Sequence, residues 1–286
     1  MIKLKKEKYV KNTYNGRKTM NLKEKVFVVT GGGNGIGREI VLNLLRNGAY
    51  VAALDLDVKG LNETKKLSED HENLKTYELN ITNLEAVEKM SETVLKDFGR
   101  VDGLINVAGI IQPFVSVKEL DYGAIERVMN VNFYGTLYMV KSFLPFLLKD
   151  EPTRIVNVSS MGGFLPVPGQ GIYGASKAAV KLMTEALYAE LRNTNVEVTL
   201  VFPGAIGTNI TANSNVEVKR DQSSAENSKI KVKPADEAAS EIIKAMVKGK
   251  LYAYVGKDSK MMNFMYRRMP KKTTNLIAKK MASLIE

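Results

Sequence analysis

VFVVTGGGNGIGREIVLNLLRN, residues 26–47, joins a continuous apolar run to a glycine-rich turn and then to a pattern with helical spacing. An unbroken β-branched run marks a strand buried on both faces, as in a parallel sheet. The turn, Gly31-Gly32-Gly33-Asn34-Gly35-Ile36-Gly37, lets backbone N–H groups approach a pyrophosphate, and the helix that follows adds the partial positive charge of its N-terminus. Strand, glycine turn and helix in this order describe a dinucleotide site, with Gly31, Asn34, Gly35, Ile36 and Gly37 as cofactor contacts. A glycine cluster alone can equally be a tight turn, so the rest of the chain has to agree.

Downstream it does. The next strand, Tyr50 to Leu54, ends at Asp55, 18 residues past Gly37. A carboxylate there can bind both hydroxyls of an adenine ribose and repel a 2′-phosphate, which favours NAD over NADP. Neither Asn34 nor Leu56 supplies the cation that a 2′-phosphate needs, although Arg38 is near in sequence. The alternation continues with strand Leu74 to Leu79, helix Asn83 to Asp97, strand Val101 to Asn106 and a long helical region from Lys118 to Leu148. Strand Val196 to Phe202, a polar segment from Thr208 to Lys233, helix Ala235 to Val247 and strand Tyr252 to Val255 complete it. Strands separated by helices imply right-handed crossovers, hence an α/β fold with a doubly wound, seven-stranded parallel sheet of the Rossmann type.

Between these blocks lies RIVNVSSMGGFLPVPGQGIYGASKAAVKLMTEALYAELR, residues 154–192. Its first six residues read as a strand and Tyr173 to Arg192 as a helix, joined by a loop rich in Gly and Pro. Tyr173 and Lys177, four apart, share one helix face, where the ammonium can favour the phenolate. An unperturbed tyrosine, with a pKa of about 10, is a poor base near neutrality, so a nearby cation matters. Ser160, at the strand's carboxyl end, can hydrogen-bond a substrate alcohol or carbonyl oxygen while Tyr173 moves the proton.

Taken together, Thr30-Gly31-x-x-x-Gly35-x-Gly37, Asn106-Val107-Ala108-Gly109, Asn132, Ser160 with Tyr173-x-x-x-Lys177, and Pro203-Gly204 with Thr208 resemble the short-chain dehydrogenase/reductase family over residues 22–255. The resemblance implies an NAD(P)-dependent enzyme with a catalytic set of Asn132, Ser160, Tyr173 and Lys177. In it Tyr173 is the acid/base and Ser160 polarises the substrate oxygen. Lys177 binds the nicotinamide ribose and lowers the tyrosine's pKa, and Asn132 holds a water that links Lys177 to solvent. It also implies cofactor contacts from Asp55, Asn80, Ile81, Asn106, Ala108, Gly109, Tyr173, Lys177, Pro203, Gly204 and Thr208, the last meeting the nicotinamide carboxamide. Two positions depart from the family pattern: Val107 replaces a second asparagine and Asn80 an acid, both on the adenine side. The implied reaction interconverts a secondary alcohol and a ketone; the alternative is a catalytically idle binding or scaffold protein that keeps the fold.

At 286 residues and 44% apolar content the chain can bury one large core as a single domain, residues 20–255. Cysteine is absent and His71 is the sole histidine, in a polar segment, so neither a disulfide framework nor a metal site is expected. There is no run of about 18 apolar residues and no apolar signal core, which suits a cytoplasmic protein. The net charge of +11 suggests nucleic acid at first sight. Its distribution argues against that partner: residues 1–19 hold seven Lys or Arg against one Glu, residues 256–286 eight against two, and the body between is nearly neutral. The leader, 1–19, lacks periodicity and is expected to be poorly ordered, and the segment 208–233 is expected to act as a lid.

Ile110, Ile111, Phe114, Phe164, Leu165 and Val167 are expected around the catalytic oxygen, which favours an apolar alcohol or ketone substrate. Apolar residues on more than one face of the helices at 118–148 and 173–192, among them Tyr134, Leu137, Tyr138, Val180, Met183, Leu187 and Tyr188, predict a homodimer or homotetramer. Beyond Val255 the methionines and Tyr266 follow helical spacing, Pro270 breaks it, and Ile277, Met281, Leu284 and Ile285 resume it. This basic amphipathic pair, residues 256–286, either packs on protein near the active-site mouth or makes a peripheral contact with an anionic membrane.

Overall fold

The computed structural model of the protein describes residues 19–208, 210–214, 216 and 232–282. Most of the leader, and residues 217–231 of the segment expected as a lid, lie outside the described residues. The apolar runs form seven strands: β1 Val26–Thr30, β2 Tyr50–Asp55, β3 Leu74–Glu78, β4 Gly103–Asn106, β5 Thr153–Val158, β6 Val196–Pro203 and β7 Tyr252–Val255. They make one parallel sheet in the order β3-β2-β1-β4-β5-β6-β7. The chain starts at β1, winds outward to β3, then crosses back to β4 and winds the other way. The carboxyl ends of β1 and β4 therefore face a crevice where the connections diverge, the place where ligands bind in such sheets.

Successive strand residues alternate between two cores. Phe27 and Val29 join Ile40, Val41 and Leu44 of α1 (Gly35–Arg46) and Ala238, Ile242 and Met246 of the helix at Ala235–Val247 on one face. Val28 and Leu104 join Val87 and Val94 of α3 (Leu84–Phe98) and Met139, Phe143 and Leu147 of α5 (Thr136–Leu147) on the other, with Leu187 from the far end of α6 (Gly171–Glu190). Burying each such Val, Leu, Ile or Phe stabilises the fold by roughly 1.5–3 kcal/mol.

Two helices depart from the sequence expectation. α2 (Val58–Leu67) has no counterpart in it, because a single turn of apolar signal, Leu61, and a buried Gly60 give the segment almost no periodicity. The long helical region starts at Tyr122, not Lys118, where the Asp121 side chain accepts from Ala124 N and caps α4 (Tyr122–Met129). Between α4 and α5 the helix widens into a π-turn over Asn130–Gly135, a distortion that collects at functional sites.

After a short α7 (Ile210–Asn213), α8 (Ala235–Val247) and β7 come α9 (Lys257–Arg268) and α10 (Pro270–Lys280). Pro270 starts α10, where its missing N–H is harmless, and so divides the pair as its chemistry requires. Met262 and Ile277 bury themselves against Leu165, with Met161, Phe164, Tyr266 and Met281 around them. No helix among the described residues is long and apolar enough to cross a membrane.

Candidate active site

A cleft of about 660 Å³ runs along the carboxyl ends of the strands, from Asp55 and Leu56 past the glycine turn to Ser160, Tyr173 and Lys177. At its first end the geometry follows from missing side chains. A Cβ on Gly37 would stand 2.0 Å from the carbonyl oxygen of Gly31, and one on Gly31 3.0 Å from Ala108 N, so only glycine lets α1 start this close under the turn. Thr30 Oγ1, at the tip of β1, accepts from Val107 N at 3.1 Å and Ala108 N at 3.3 Å and ties the turn to β4. Asn34 caps α1, its side chain accepting from Gly35 N at 2.7 Å.

Asp55 accepts from Gly33 N at 2.9 Å through one carboxylate oxygen and from Asp57 N at 3.0 Å through the other. Its carboxylate is thereby fixed at the lip of the cleft. Arg38 turns elsewhere. Its guanidinium donates to Gly33 O and Thr64 Oγ1 and pairs with Glu63 at 2.6 Å, and it does not line the cleft.

At the other end, α6 brings Tyr173 and Lys177 to the wall, opposite Ser160 at the end of β5. Ser160 starts a 3₁₀ turn, Met161–Gly163, and its Oγ accepts from Gly162 N at 3.0 Å. A Cβ on Gly162 would lie 3.4 Å from the Tyr173 ring and 3.5 Å from Ser160 Oγ, so the turn lies against both. Lys177 is 3% exposed; its Nζ donates to Val158 O at 3.1 Å, and its own carbonyl accepts from Ser159 Oγ at 2.8 Å.

Burial governs the charges here. It pushes the Lys177 ammonium down to about 8, and it pushes the Tyr173 phenol up, with the Ser160 hydroxyl pulling it partly back. The phenol therefore stands above its ordinary value, because desolvation of the phenolate outweighs what the Ser160 hydroxyl returns.

Most of the residues expected at a cofactor line this cleft: Gly31, Asn34, Gly35, Ile36, Gly37, Asp55, Asn80, Ile81, Ala108, Gly109, Pro203, Gly204 and Thr208, together with Ser160, Tyr173 and Lys177. Asn106 and Asn132 do not. Asn106 is buried behind the wall, donating to Asn157 Oδ1 at 2.8 Å. Asn132, fully buried at the π-turn, accepts from Ile110 N and donates to Ile110 O and Ser176 Oγ, each at 2.9 Å. It thereby clamps the loop after β4 to α6, as a buried amide must if its polar atoms are to be paired.

Ile110 and Ile111 line the cleft with Ile206 and Ile210, whereas Phe164 and Leu165 face away from it. Phe164 packs edge-on against Phe202 with ring centroids 5.3 Å apart, and Leu165 lies in the cluster under α9 and α10. These two form loop core.

Two residues outside the expected set hold the site together. Gln112 is fully buried; its Oε1 accepts from Ile172 N at 2.8 Å and Tyr173 N at 2.9 Å, and its Nε2 donates to Gly169 O at 2.9 Å. It caps the first turn of α6 in place of the missing local cap. A lone glutamine in the apolar stretch Ile110-Ile111-Gln112 was the available signal. The second is Asp258, in the first turn of α9, which accepts from Ala205 N at 2.7 Å.

Comparison with known proteins agrees with this geometry. A protein-family model described as short chain dehydrogenase matches residues 25–219. SadH of Mycobacterium tuberculosis, named as an oxidoreductase, is 35% identical over 260 residues, 89% of this chain and 94% of that one. A short chain dehydrogenase/reductase from Burkholderia phymatum, solved in complex with NAD, superposes with a TM-score of 0.79 at 25% identity, covering 88% of this chain and 96% of its own. A short chain dehydrogenase from Burkholderia cenocepacia J2315, solved with NADP, gives 0.75 at 28% identity over 90% of this chain and 99% of its own.

Proposed function

The chain belongs to the short-chain dehydrogenase/reductase family of oxidoreductases, and from that premise we propose that it is an NAD(H)-dependent enzyme interconverting a secondary alcohol and a ketone on a largely apolar small molecule. The observation that carries the reading is the convergence of Ser160, Tyr173 and Lys177 at one end of a cleft whose other end is a glycine turn bordered by Asp55. The residues present suit a dinucleotide: backbone stripped of side chains at Gly31 and Gly37 for the pyrophosphate, a fixed carboxylate for the ribose, and Lys177 for the second ribose. Such a cofactor supplies hydride acceptance or donation at its nicotinamide ring.

The chain's own residues handle the proton. Ser160 Oγ donates to the substrate oxygen and holds it against the Tyr173 phenol. Tyr173 gives its proton to a ketone oxygen or takes one from an alcohol, and Lys177, while protonated, favours the phenolate left behind. General acid–base catalysis of this kind is worth about 10²–10⁴ in rate. In a panel of hydrophobic ketones and alcohols followed by NADH absorbance, Tyr173→Phe is expected to lose that factor while binding NADH normally. Near-normal turnover by the variant would refute the role.

The choice of NAD is supported by Asp55 at the lip and by Arg38 being held by Glu63 away from the cleft. Ile110, Ile111, Ile206 and Ile210 support an apolar substrate, and a panel in which sugars or polyols win by kcat/KM would overturn that part. Lack of cysteine supports work in the cytoplasm. Exposed Tyr134 on the π-turn and Leu182 on α6 support a homo-oligomer built on these helices, testable by light scattering at micromolar concentration.

A further inference from the structure

The sheet is complete at Val255, and nothing in the glycine turn or in the Ser160, Tyr173 and Lys177 set calls for the helices that follow. Their first turn nevertheless reaches into the cleft wall. Asp258 Oδ2 accepts from Ala205 N at 2.7 Å, and Ser259, fully buried, donates from Oγ to Phe202 O at 2.8 Å. Gly204 N donates to Val255 O at 2.9 Å, so Phe202 at the end of β6 and Gly204 and Ala205 in the turn that follows are all fastened to the segment 255–259.

The fit around Gly204 is close. A Cβ there would stand 2.2 Å from both carboxylate oxygens of Asp258. Gly204 has no positive φ to accommodate, so the carboxylate lying over it is what excludes a side chain.

The turn in question is far from the adenine end. Pro203, Gly204 and Ala205 line the cleft at the tip of β6, and Asp55 lines it at the tip of β2. These strands stand four places apart in the sheet order, roughly 19 Å at about 4.8 Å per strand. A dinucleotide whose adenine ribose meets Asp55 therefore brings its other half to the Gly204 turn, beside Ser160 and Tyr173.

We propose that Asp258 is a positioning residue for the nicotinamide half of the cofactor: by clamping Ala205 N–H it sets the turn Pro203–Ala205 at the height the ring needs, which makes the first turn of the C-terminal helical pair part of the site. This rests on the nicotinamide-cofactor reading given above. The clamp acts on one half of the ligand only, and that is its signature. ADP-ribose carries the adenine, both riboses and the pyrophosphate but no nicotinamide, so it uses the glycine turn and Asp55 without depending on the height of the Gly204 turn.

The test is equilibrium binding of NADH and of ADP-ribose to the full chain by fluorescence or calorimetry. Asp258→Ala removes one charge-assisted hydrogen bond and is expected to weaken NADH about tenfold while ADP-ribose stays within about twofold. Asp258→Asn keeps an acceptor oxygen for Ala205 N–H and is expected to remain within about threefold for both. Should Asp258→Ala fail to fold, Gly204→Ala pushes the carboxylate off from the other side and carries the same expectation. Equal losses for the two ligands, or none for NADH, would overturn the positioning role. A wild-type chain that binds ADP-ribose but gains nothing from the nicotinamide of NADH would instead overturn the cofactor reading, and the proposal with it.

Discussion

At the glycine end of the cleft most contacts join residues close in sequence, Gly31 with Gly37, Gly33 with Asp55 and Arg38 with Glu63, all within β1, α1, β2 and α2, while Thr30 ties the turn to Val107 and Ala108 after β4. At the proton-transfer end they join Gln112 with Tyr173, Asn132 with Ser176 and Ala205 with Asp258, across separations of 61, 44 and 53 residues. The first end is shaped mainly by atoms that are absent, the glycine Cβ atoms, and the second mainly by buried amides and by a carboxylate that lies over Gly204. The two should therefore fail differently. Adding a methyl group destroys the first, whereas deleting a hydrogen-bonding group loosens the second and leaves the first intact.

Gly37→Ala should have the largest effect. With a Cβ 2.0 Å from Gly31 O, the turn and α1 cannot both keep their places. Overpacking of this kind typically costs about 1–3 kcal/mol, and here backbone is the obstacle, so the upper end is expected together with loss of ADP-ribose binding. A variant that binds ADP-ribose like the wild type would remove the basis of the contrast.

Lys177 offers a test of similar size at the other end, through pH. Its folded-state pKa, about 8, lies below its ordinary 10.5, so between those values the unfolded chain binds more protons than the folded one. Stability contributed at this site therefore rises with pH from 8 to 10.5, and below pH 8 the burial cost stands in full, on the order of 3 kcal/mol. Lys177→Met, which removes the charge and keeps the bulk, should be more stable than the wild type in urea at pH 7, with the advantage shrinking towards pH 10. A gap that is constant with pH would mean that the lysine is not desolvated.

Gln112→Leu should cost less, about 1–3 kcal/mol for leaving the N–H groups of Ile172 and Tyr173 without an acceptor, read as a lowered urea midpoint. The informative part is selectivity: kcat should fall, because Tyr173 loses its helix cap, while ADP-ribose affinity should hold. Gln112→Glu keeps an acceptor for the N–H groups of Ile172 and Tyr173 but sets a carboxylate oxygen against Gly169 O in place of the Nε2 donor, so it should recover only part of the stability and, by adding a negative charge near Tyr173, move the alkaline limb of the pH–rate profile upward. Parallel loss of ADP-ribose binding in Gln112→Leu would mean that the two ends are not independent.

Asp55→Ala should be the mildest. It removes a ribose partner and a repulsive charge together, so NADH should weaken by about tenfold or less while NADPH improves, narrowing the ratio between them. An unchanged ratio would deny Asp55 its role in choosing the cofactor.

The glycine end was legible because its physics is local. β1, the turn through Gly37, α1, β2 and Asp55 lie within 30 consecutive residues, where apolar runs, glycine spacing and helical periodicity declare themselves one after another. The inner strands β1, β2 and β4 were legible for the same reason, since a parallel strand buried on both faces is written as an unbroken apolar run, while β3, LKTYE at the sheet's edge, shows only a half-buried pattern. Tyr173 and Lys177 needed only the helical repeat to share a face. α2 escaped because Gly60 and Thr64, which it buries, leave no apolar stripe.

Tertiary structure alone decided the rest. That Phe164 and Leu165 turn into the C-terminal helices and away from the cleft, that Gln112 caps a helix beginning at Gly171, and that Asp258 lies over Gly204 are facts of long-range pairing. A buried polar side chain takes whichever partner the fold brings within about 3 Å. Nothing in the residues beside Gln112 or Asp258 names that partner, because the match is made by the crossing of elements and exists only once the sheet has closed.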